Sequence, residues 1–530
     1  MIIVKQQRDL AKLIKDYGWP DIPDCFSTRD RKTVQSGTDT WVLPDPGIRT
    51  PRIDFSIITD HSIKWAVKSY IKMVMETQSS RSANNDYADL RRLVICKLDE
   101  HYDDLEGRLI EVYEDLLSES REAQKTWQCY RVFKWYLWCA DNYPELGFSE
   151  DYANRLDAVE LGGNPKGYAV KSEDPAKGPL APIEFKLLIS ALKNDDDQTF
   201  SAIQQRAAIS LLIATGRNPQ NLTFLRESDL MNVAPEGVEP CYILKMPRIK
   251  KGFLSPRDDL LEESIDEAIA GHIVALIDKN KEIRDDLKFD RFSGSLPDAL
   301  FINTDGNSSA LLSYDWDNAL NMSSQQLSLL VERFSSRVNI VSPVTKKILR
   351  IYPRRLRYTF ACNMVSEGVS RRELARMLDH SDTQNVGVYY QVASKIVPHL
   401  DKAMAKEYAS ILGLFRGKVV TSDAAAVNGD REDKHLSFHG LQNEDVNGEE
   451  IGVCGDSEVC HLDPPYSCYL CHKFQPYATA DHDHVLSCLL ENREEKIKKY
   501  ESKRIGVQLD DVIIAVAEVA ERCKESNKNA

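Results

Sequence analysis

The sequence predicts a mainly α-helical chain of several domains with one small antiparallel β-sheet. Apolar residues recur at three- and four-residue steps through DYADLRRLVICKLDEHYDDLEGRLIEVYEDLL and KTWQCYRVFKWYLWCADNYPELGF, the period of helices with one buried face. Strand-like patterning is confined to a pair of stretches around CYILKMPRIKKG. The 530 residues leave room for several cores, and 42% hydrophobic with 28% charged residues is the balance of a globular chain.

Residues 1–61 mix short apolar stretches with proline and end in IRTPRIDFSIITDHS, a pattern that fixes no fold; their role stays open. Residues 62–155 read as a helical domain. Within it Trp127, Tyr130, Phe133 (or Lys134) and Leu137 share a face, which reads as bundle core before it reads as a base-stacking platform. The interleaved Lys125, Arg131 and Lys134 keep DNA contact open. Residues 156–180, with LGGNPKGYAVKSEDPAKGPLAP, have the Gly, Pro and Ser density of a linker. A third domain runs from 181 to 412, beginning with two helices (IEFKLLISALK and SAIQQRAAISLLIATG), then the strand pair and further helices. An acidic linker at 413–450 leads to a Cys-rich segment and a terminal helix at 451–530.

The formal charge of −14 argues against a protein that coats nucleic acid over its whole surface. The charge is uneven. Residues 413–530 hold 14 basic and 22 acidic residues, whereas 331–412 hold 14 basic and 7 acidic. That island of +7 is suited to a phosphate backbone, because phosphate contact needs clustered Lys and Arg. No run of eighteen apolar residues occurs, and the opening MIIVKQQRDLAKLIKDYGW turns to charge too soon for a signal-peptide core, so a cytoplasmic location with no membrane partner is expected.

The most informative stretch is YPRRLRYTFACNMVSEGVSRRELARMLDHSDTQNVGVYYQ, residues 352–391. Arg354 and Arg357, three apart on a helix, can emerge on one face. That helix ends near Glu367-Gly368, and Ser370 with Glu373 forms a capping box for the next. The second helix carries Leu374, Met377 and Leu378 and delivers His380 just past its last turn; Asp382 or Thr383 can cap a third segment bearing Tyr389 and Tyr390.

This arrangement resembles the catalytic domain of the tyrosine recombinase (phage integrase) family, in which a His-x-x-Arg helix precedes a Leu-Gly-His turn and the nucleophilic tyrosine follows nine residues after the histidine. Here Arg354, Arg357, Leu378-Asp379-His380 and Tyr389 occupy those places. The resemblance spans 180–412, with 62–150 resembling the family's helical core-binding domain. It implies a recombinase that cuts and rejoins DNA at a specific site through a transient 3′-phosphotyrosine, with duplex DNA as partner, a homotetramer on two DNA sites and no cofactor for catalysis. Arginine suits the phosphate because its planar fork donates two parallel bonds. A phenol of ordinary pKa near 10 needs a local positive field to attack, and histidine can donate to a non-bridging oxygen or move a proton.

Two further parts are implied upstream. The family's first arginine follows an Ala-Thr-Gly-like helix end, here LLIATGRNPQNLTFL at 211–225; ungapped alignment puts Asn218 at that place and Arg217 one residue early. Either Arg217 or Arg354, which adds a cation where the family has histidine, would have to compensate. The family's hairpin lysine corresponds to Lys251, in preference to Lys250 or Lys245.

In the tail, Cys468-x-x-Cys471 has knuckle spacing, and Cys454 and Cys460 complete a four-thiolate set suited to structural zinc, with His472, His482, His484 and Cys488 as alternative ligands. A similar Cys-containing tail accompanies some large integrase-like recombinases. Two rival readings stand beside the recombinase: a catalytically impaired homologue acting as a DNA-binding or scaffolding protein, and a zinc-organised protein-interaction module.

Overall fold

The computed structural model describes residues 10–49, 51–98, 104–164, 167–172, 174–235, 240–249, 253–287, 296–367, 369–380, 386–392, 402, 405–406, 409, 413–439, 448–457, 460, 464–499 and 508–528. Helix dominates, and every sheet is small and antiparallel, as the sequence predicts. The chain divides into two compact units, residues 1–166 with 198–331, and residues 167–197 with 332–530.

The first unit begins with α1 (Leu10–Tyr17) and two short strand pairs, β1 (Cys25–Ser27) with β2 (Thr33–Gln35) and β3 (Thr40–Val42) with β4 (Arg52–Asp54). Their inward residues Phe26, Val34, Trp41 and Ile53 join Leu43 and Phe55 in the same core as the helices that follow. These are α2 (His61–Thr77), α3 (Ser80–Leu93), α4 (Leu105–Glu122), α5 (Tyr130–Asn142) and α6 (Glu150–Asp157). Strands β1 to β4, from the segment whose pattern fixes no fold, thus contribute to the helical domain's core. Side-chain caps start four of the five helices: Asp60 accepts from Ile63 N, Ser79 from Ser82 N, Asp104 from Glu106 and Gly107 N, and Ser149 from Tyr152 N.

The aromatic face on α5 departs from the expected one. Thr126–Cys129 is a 3-10 turn, so α5 starts at Tyr130, which is 64% exposed. Val132, Phe133, Trp135, Tyr136 and Cys139 are the buried residues, and Trp127 and Leu137 are half-buried. The 3-10 turn changes the angular phase before the helix begins, so spacing counted through it assigns the wrong face.

The unit continues with α9 (Phe200–Thr215), nearly all of it buried, after α7 (Tyr168–Lys171) and α8 (Pro182–Asn194), which belong to the second unit. Gly216, at φ 59°, ends α9 in the left-handed region and opens the turn to α10 (Pro219–Thr223). A three-stranded sheet follows, ordered β5 (Leu230–Asn232), β6 (Tyr242–Pro247), β7 (Leu260–Ile265), in which Lys245 lies opposite Glu262. Helix α11 (Glu267–Asp286) packs on α9, and α12 (Ser308–Leu312) is a short helix capped by Asn307.

The second unit takes the last turn of α13 (Ser324–Arg337), then α14 (Pro353–Ser366), α15 (Arg371–Met377) and α16 (Gly387–Val392). Its C-terminal part contains a sheet ordered β10 (Phe474–Pro476), β9 (Glu449–Cys454), β8 (His435–Phe438), with helices α17 (His482–Lys499) and α18 (Asp510–Lys528). Ile183 of α8, with Ala405, Ala409 and Phe415, shares a core with Ile451, Phe474, Leu486, Ile513 and Val516. Strand β8 lies within the stretch expected as an acidic linker, which therefore contributes to the fold.

Candidate active site

Helix α14 starts with Tyr352 at its N-cap and Pro353 in its first turn, and then carries three arginines in four positions. Their fates differ because consecutive residues on a helix point about 100° apart. Arg355 is buried. Its guanidinium donates to the carbonyls of Gly178 (3.0 Å), Arg350 (2.8 Å) and Pro175 (2.7 Å), and pairs with the buried Glu184 carboxylate at 2.8 Å. It fastens the 175–178 chain to α14, a role the sequence does not signal. Arg354 is exposed, and among the described residues no hydrogen bond or ion pair engages it.

Arg357 is 7% exposed and its Nη2 donates to the Leu378 carbonyl at 2.9 Å and to His380 Nε2 at 2.6 Å. A guanidinium has no acceptor, so the imidazole Nε2 is the acceptor and the neutral ring carries its proton on Nδ1. At the start of the helix that presents His380 the Ser370 hydroxyl accepts from Glu373 N, one half of the expected capping box; the Glu373 carboxylate, expected to reach back to Ser370, instead accepts from Arg376 Nε at 2.9 Å. At its end Asp379 N donates to Arg376 O (3.0 Å) and His380 N to Ala375 O (2.8 Å), a Schellman closure. The closure places Asp379 at φ 54°, which gives a physical reason for glycine in a Leu-Gly-His turn and for aspartate being tolerated here.

Tyr389 lies on α16, 4% exposed, in a cluster with Val170, Phe360, Leu374, Leu378 and Val386. Burial pushes its phenol up to about 12; the Arg357 guanidinium pulls the other way, Tyr358 and Cys362 push with burial, and Arg354 opposes it. The Tyr358 ring is 6.2 Å away. Tyr390 is occupied otherwise: its hydroxyl donates to the Val369 carbonyl at 2.5 Å, and the Arg371 guanidinium lies over its ring at 5.3 Å. Helix α7 packs on α16 so closely that a Cβ on Gly167 (φ 74°) would lie 2.9 Å from Val388 Cγ2.

The second unit thus gathers Arg354, Arg357, His380 and Tyr389. Arg217 belongs to the first unit, fully buried, where its Nη2 pairs with Glu263 on β7. Asn218, the N-cap of α10, is exposed. Lys250, Lys251, Gly368, Asp382 and Thr383 lie outside the described residues. Lys245 on β6 is half-buried, 4.0 Å from Glu262.

In the tail, Cys468 is buried, Cys454 and Cys471 are half-buried and Cys460 is exposed. Lys473 N donates to Cys471 Sγ at 3.4 Å, and Cys454 lies opposite Phe474. Among the described residues no group of three His, Cys, Asp or Glu side chains is arranged to hold a metal ion. Of the alternative ligands, His482 is committed elsewhere, its Nδ1 to the Tyr469 hydroxyl (2.8 Å) and its Nε2 to the Tyr477 carbonyl (3.0 Å). His484 Nε2 lies 3.6 Å from Cys488 Sγ. Among the described residues no helix is long and apolar enough to cross a membrane.

Residues 180–395 match the phage integrase family model. This part of the chain is a phage integrase family domain, the family of the tyrosine recombinases. Solved structures similar to it include a lambda integrase tetramer bound to a Holliday junction (14% identity, 72% of this chain and 98% of that chain, TM-score 0.39). They also include XerH recombinase in a post-cleavage complex with a palindromic difH substrate (15%, 67% and 86%, TM-score 0.39). A third is the Tn1549 transposon integrase with a circular intermediate DNA (14%, 66% and 99%, TM-score 0.36). No curated protein matches the chain.

Proposed function

We propose that the chain binds duplex DNA and cuts and rejoins its strands, with Tyr389 as nucleophile. The observation that carries this reading is the joining of Arg357 to His380 beside a phenol whose charge neighbours are Arg357 and Arg354. Tyr389 Oη bonds to phosphorus as the bond from phosphorus to the 5′ oxygen breaks, leaving a 3′-phosphotyrosine. The phenol gives up one proton and the leaving 5′ oxygen takes one, for which Lys251 is the candidate donor. Arg357 and Arg354 offset the charge growing on the phosphate oxygens; each such donor contributes about 2.7–4 kcal/mol to the transition state. The partner is duplex DNA and the working form a homotetramer on two sites. Rejoining reverses the same steps, so no nucleotide or metal is required for catalysis.

A second reading, a DNA-binding homologue with impaired chemistry, is favoured by Arg217, which is buried in an ion pair with Glu263, and by the neutral Asn218 beside it. A nicked suicide duplex separates the two. The recombinase yields a DNA adduct that is lost in Tyr389→Phe and retained in Tyr390→Phe, whereas the impaired homologue binds the duplex and gives no adduct.

We also propose structural zinc held by Cys454, Cys460, Cys468 and Cys471. The support is their spacing and the N–H···S contact at the knuckle.

A further inference from the structure

We propose that residues 26–49 and 51–55 form a strut that fuses the helical domain to residues 198–331 into one rigid body, although the chain between them passes through a glycine-rich linker at 158–166. The composition of that linker, with LGGNPKG at 161–167, by itself predicts free movement of the helical domain about it.

The contacts oppose such movement. One end of the strut is set in the helical domain: Trp41, Leu43, Ile53 and Phe55 lie in its core, and Lys64 and Lys68 both pair with Asp39 (2.8 and 2.9 Å). The other end is the turn Leu43-Pro44-Asp45-Pro46-Gly47. There the buried Ser309 hydroxyl donates to the Leu43 carbonyl at 2.6 Å, and the buried Asn307 amide donates to the Pro46 carbonyl at 2.8 Å. Asn307 is held in place by two further bonds, one to the Asn321 carbonyl (2.8 Å) and one from Ala310 N (3.1 Å). Around this buried centre, Lys32 pairs with Asp315 at 2.6 Å and Arg81 of α3 donates to Gln220 of α10 at 2.7 Å. The Arg81 side chain passes close to Gly47, its Nη2 2.2 Å from where a Cβ would stand.

Separating the two parts would exchange these buried bonds for bonds to water, a net loss at each, and would expose the apolar surface around them, so the joint resists opening as a unit. If the chain binds duplex DNA as proposed above, the helical domain and residues 198–331 meet it as one preformed surface. The strut itself does not depend on that reading.

The test uses the full chain with a protease recognition sequence inserted after Gly163. After cleavage, the two fragments are expected to co-elute on gel filtration at low and at high salt. Asn307→Ala with Ser309→Ala should raise their dissociation constant by on the order of tenfold or more for each lost bond. Lys32→Ala, which removes only a part-exposed pair, should change it less than about threefold. Ser309→Ala alone gives the same reading if the paired variant fails to fold. Fragments that separate in the otherwise unaltered chain, or that stay together equally well when the Asn307 and Ser309 bonds are removed, would overturn the strut. Neither readout involves DNA cleavage, so its failure is distinct from failure of the recombinase reading.

Discussion

Replacing Arg354, Arg355 and Arg357 one at a time with methionine, which keeps much of the apolar stem and removes the charge, separates a structural arginine from two that face the chemistry. Arg355 and Glu184 are buried together, and Glu184 also accepts from Ser342 and from Ala181 N. Arg355→Met strands that carboxylate and frees three carbonyls, so about 3–5 kcal/mol of stability is expected to go. Adding Glu184→Gln, which removes the stranded charge and can keep the hydrogen bonds, should restore part of the loss, since neighbouring sites couple. Arg354→Met, on an exposed side chain, should stay within about 0.5 kcal/mol of the parent. In cleavage of a suicide duplex the order reverses: Arg354→Met and Arg357→Met each lose about 10²–10³-fold in rate. Urea unfolding followed by circular dichroism reads the first quantity, and adduct formation the second. An Arg355→Met protein as stable as the parent, or an Arg354→Met protein that cleaves at full rate, would refute the division of roles.

The Tyr389 phenol should titrate at about 12 in the DNA-free protein, read as the ultraviolet difference between the parent and Tyr389→Phe; a midpoint near 10 would show that it is not buried. The fold favours the neutral phenol, so Tyr389 stabilises below pH 10 and its contribution is lost as pH rises from 10 towards 12. Asp379→Gly should stabilise the second unit by up to about 1 kcal/mol, because glycine accepts positive φ without strain, whereas a valine there should destabilise it. Metal analysis of the purified chain should give one zinc per chain, reduced in Cys468→Ser; a metal-free folded protein would end the zinc proposal. DNA affinity should fall steeply with salt, with a log–log slope reporting the number of phosphates engaged, and a flat dependence would remove the reading of 331–412 as a phosphate-binding island.

The sequence by itself determined the parts of this protein that are local. Arg357, His380 and Tyr389 lie on or just after short helices, and both the Ser370 cap and the turn at His380 form from residues within a few positions of one another. Periodicity therefore suffices to bring arginine, histidine and tyrosine together. It did not separate Arg354 from Arg355, because which side of α14 is buried depends on Glu184 and the 175–178 chain, about 170 residues earlier. Packing likewise distinguishes the two tyrosines, tying the Tyr390 hydroxyl to Val369 and burying Tyr389 with Arg357 and Arg354 among its charged neighbours, a difference that periodicity does not show.

Tertiary structure alone placed Arg217 against Glu263, brought the N-terminal strands into the helical core, and seated Leu43 and Pro46 on Ser309 and Asn307. Such contacts join residues far apart in the chain through hydrogen bonds and close packing, which leave no periodic signature in either partner. A helix's local chemistry is written along the chain, whereas the partner of a buried polar group is decided only when the chain has folded back on itself.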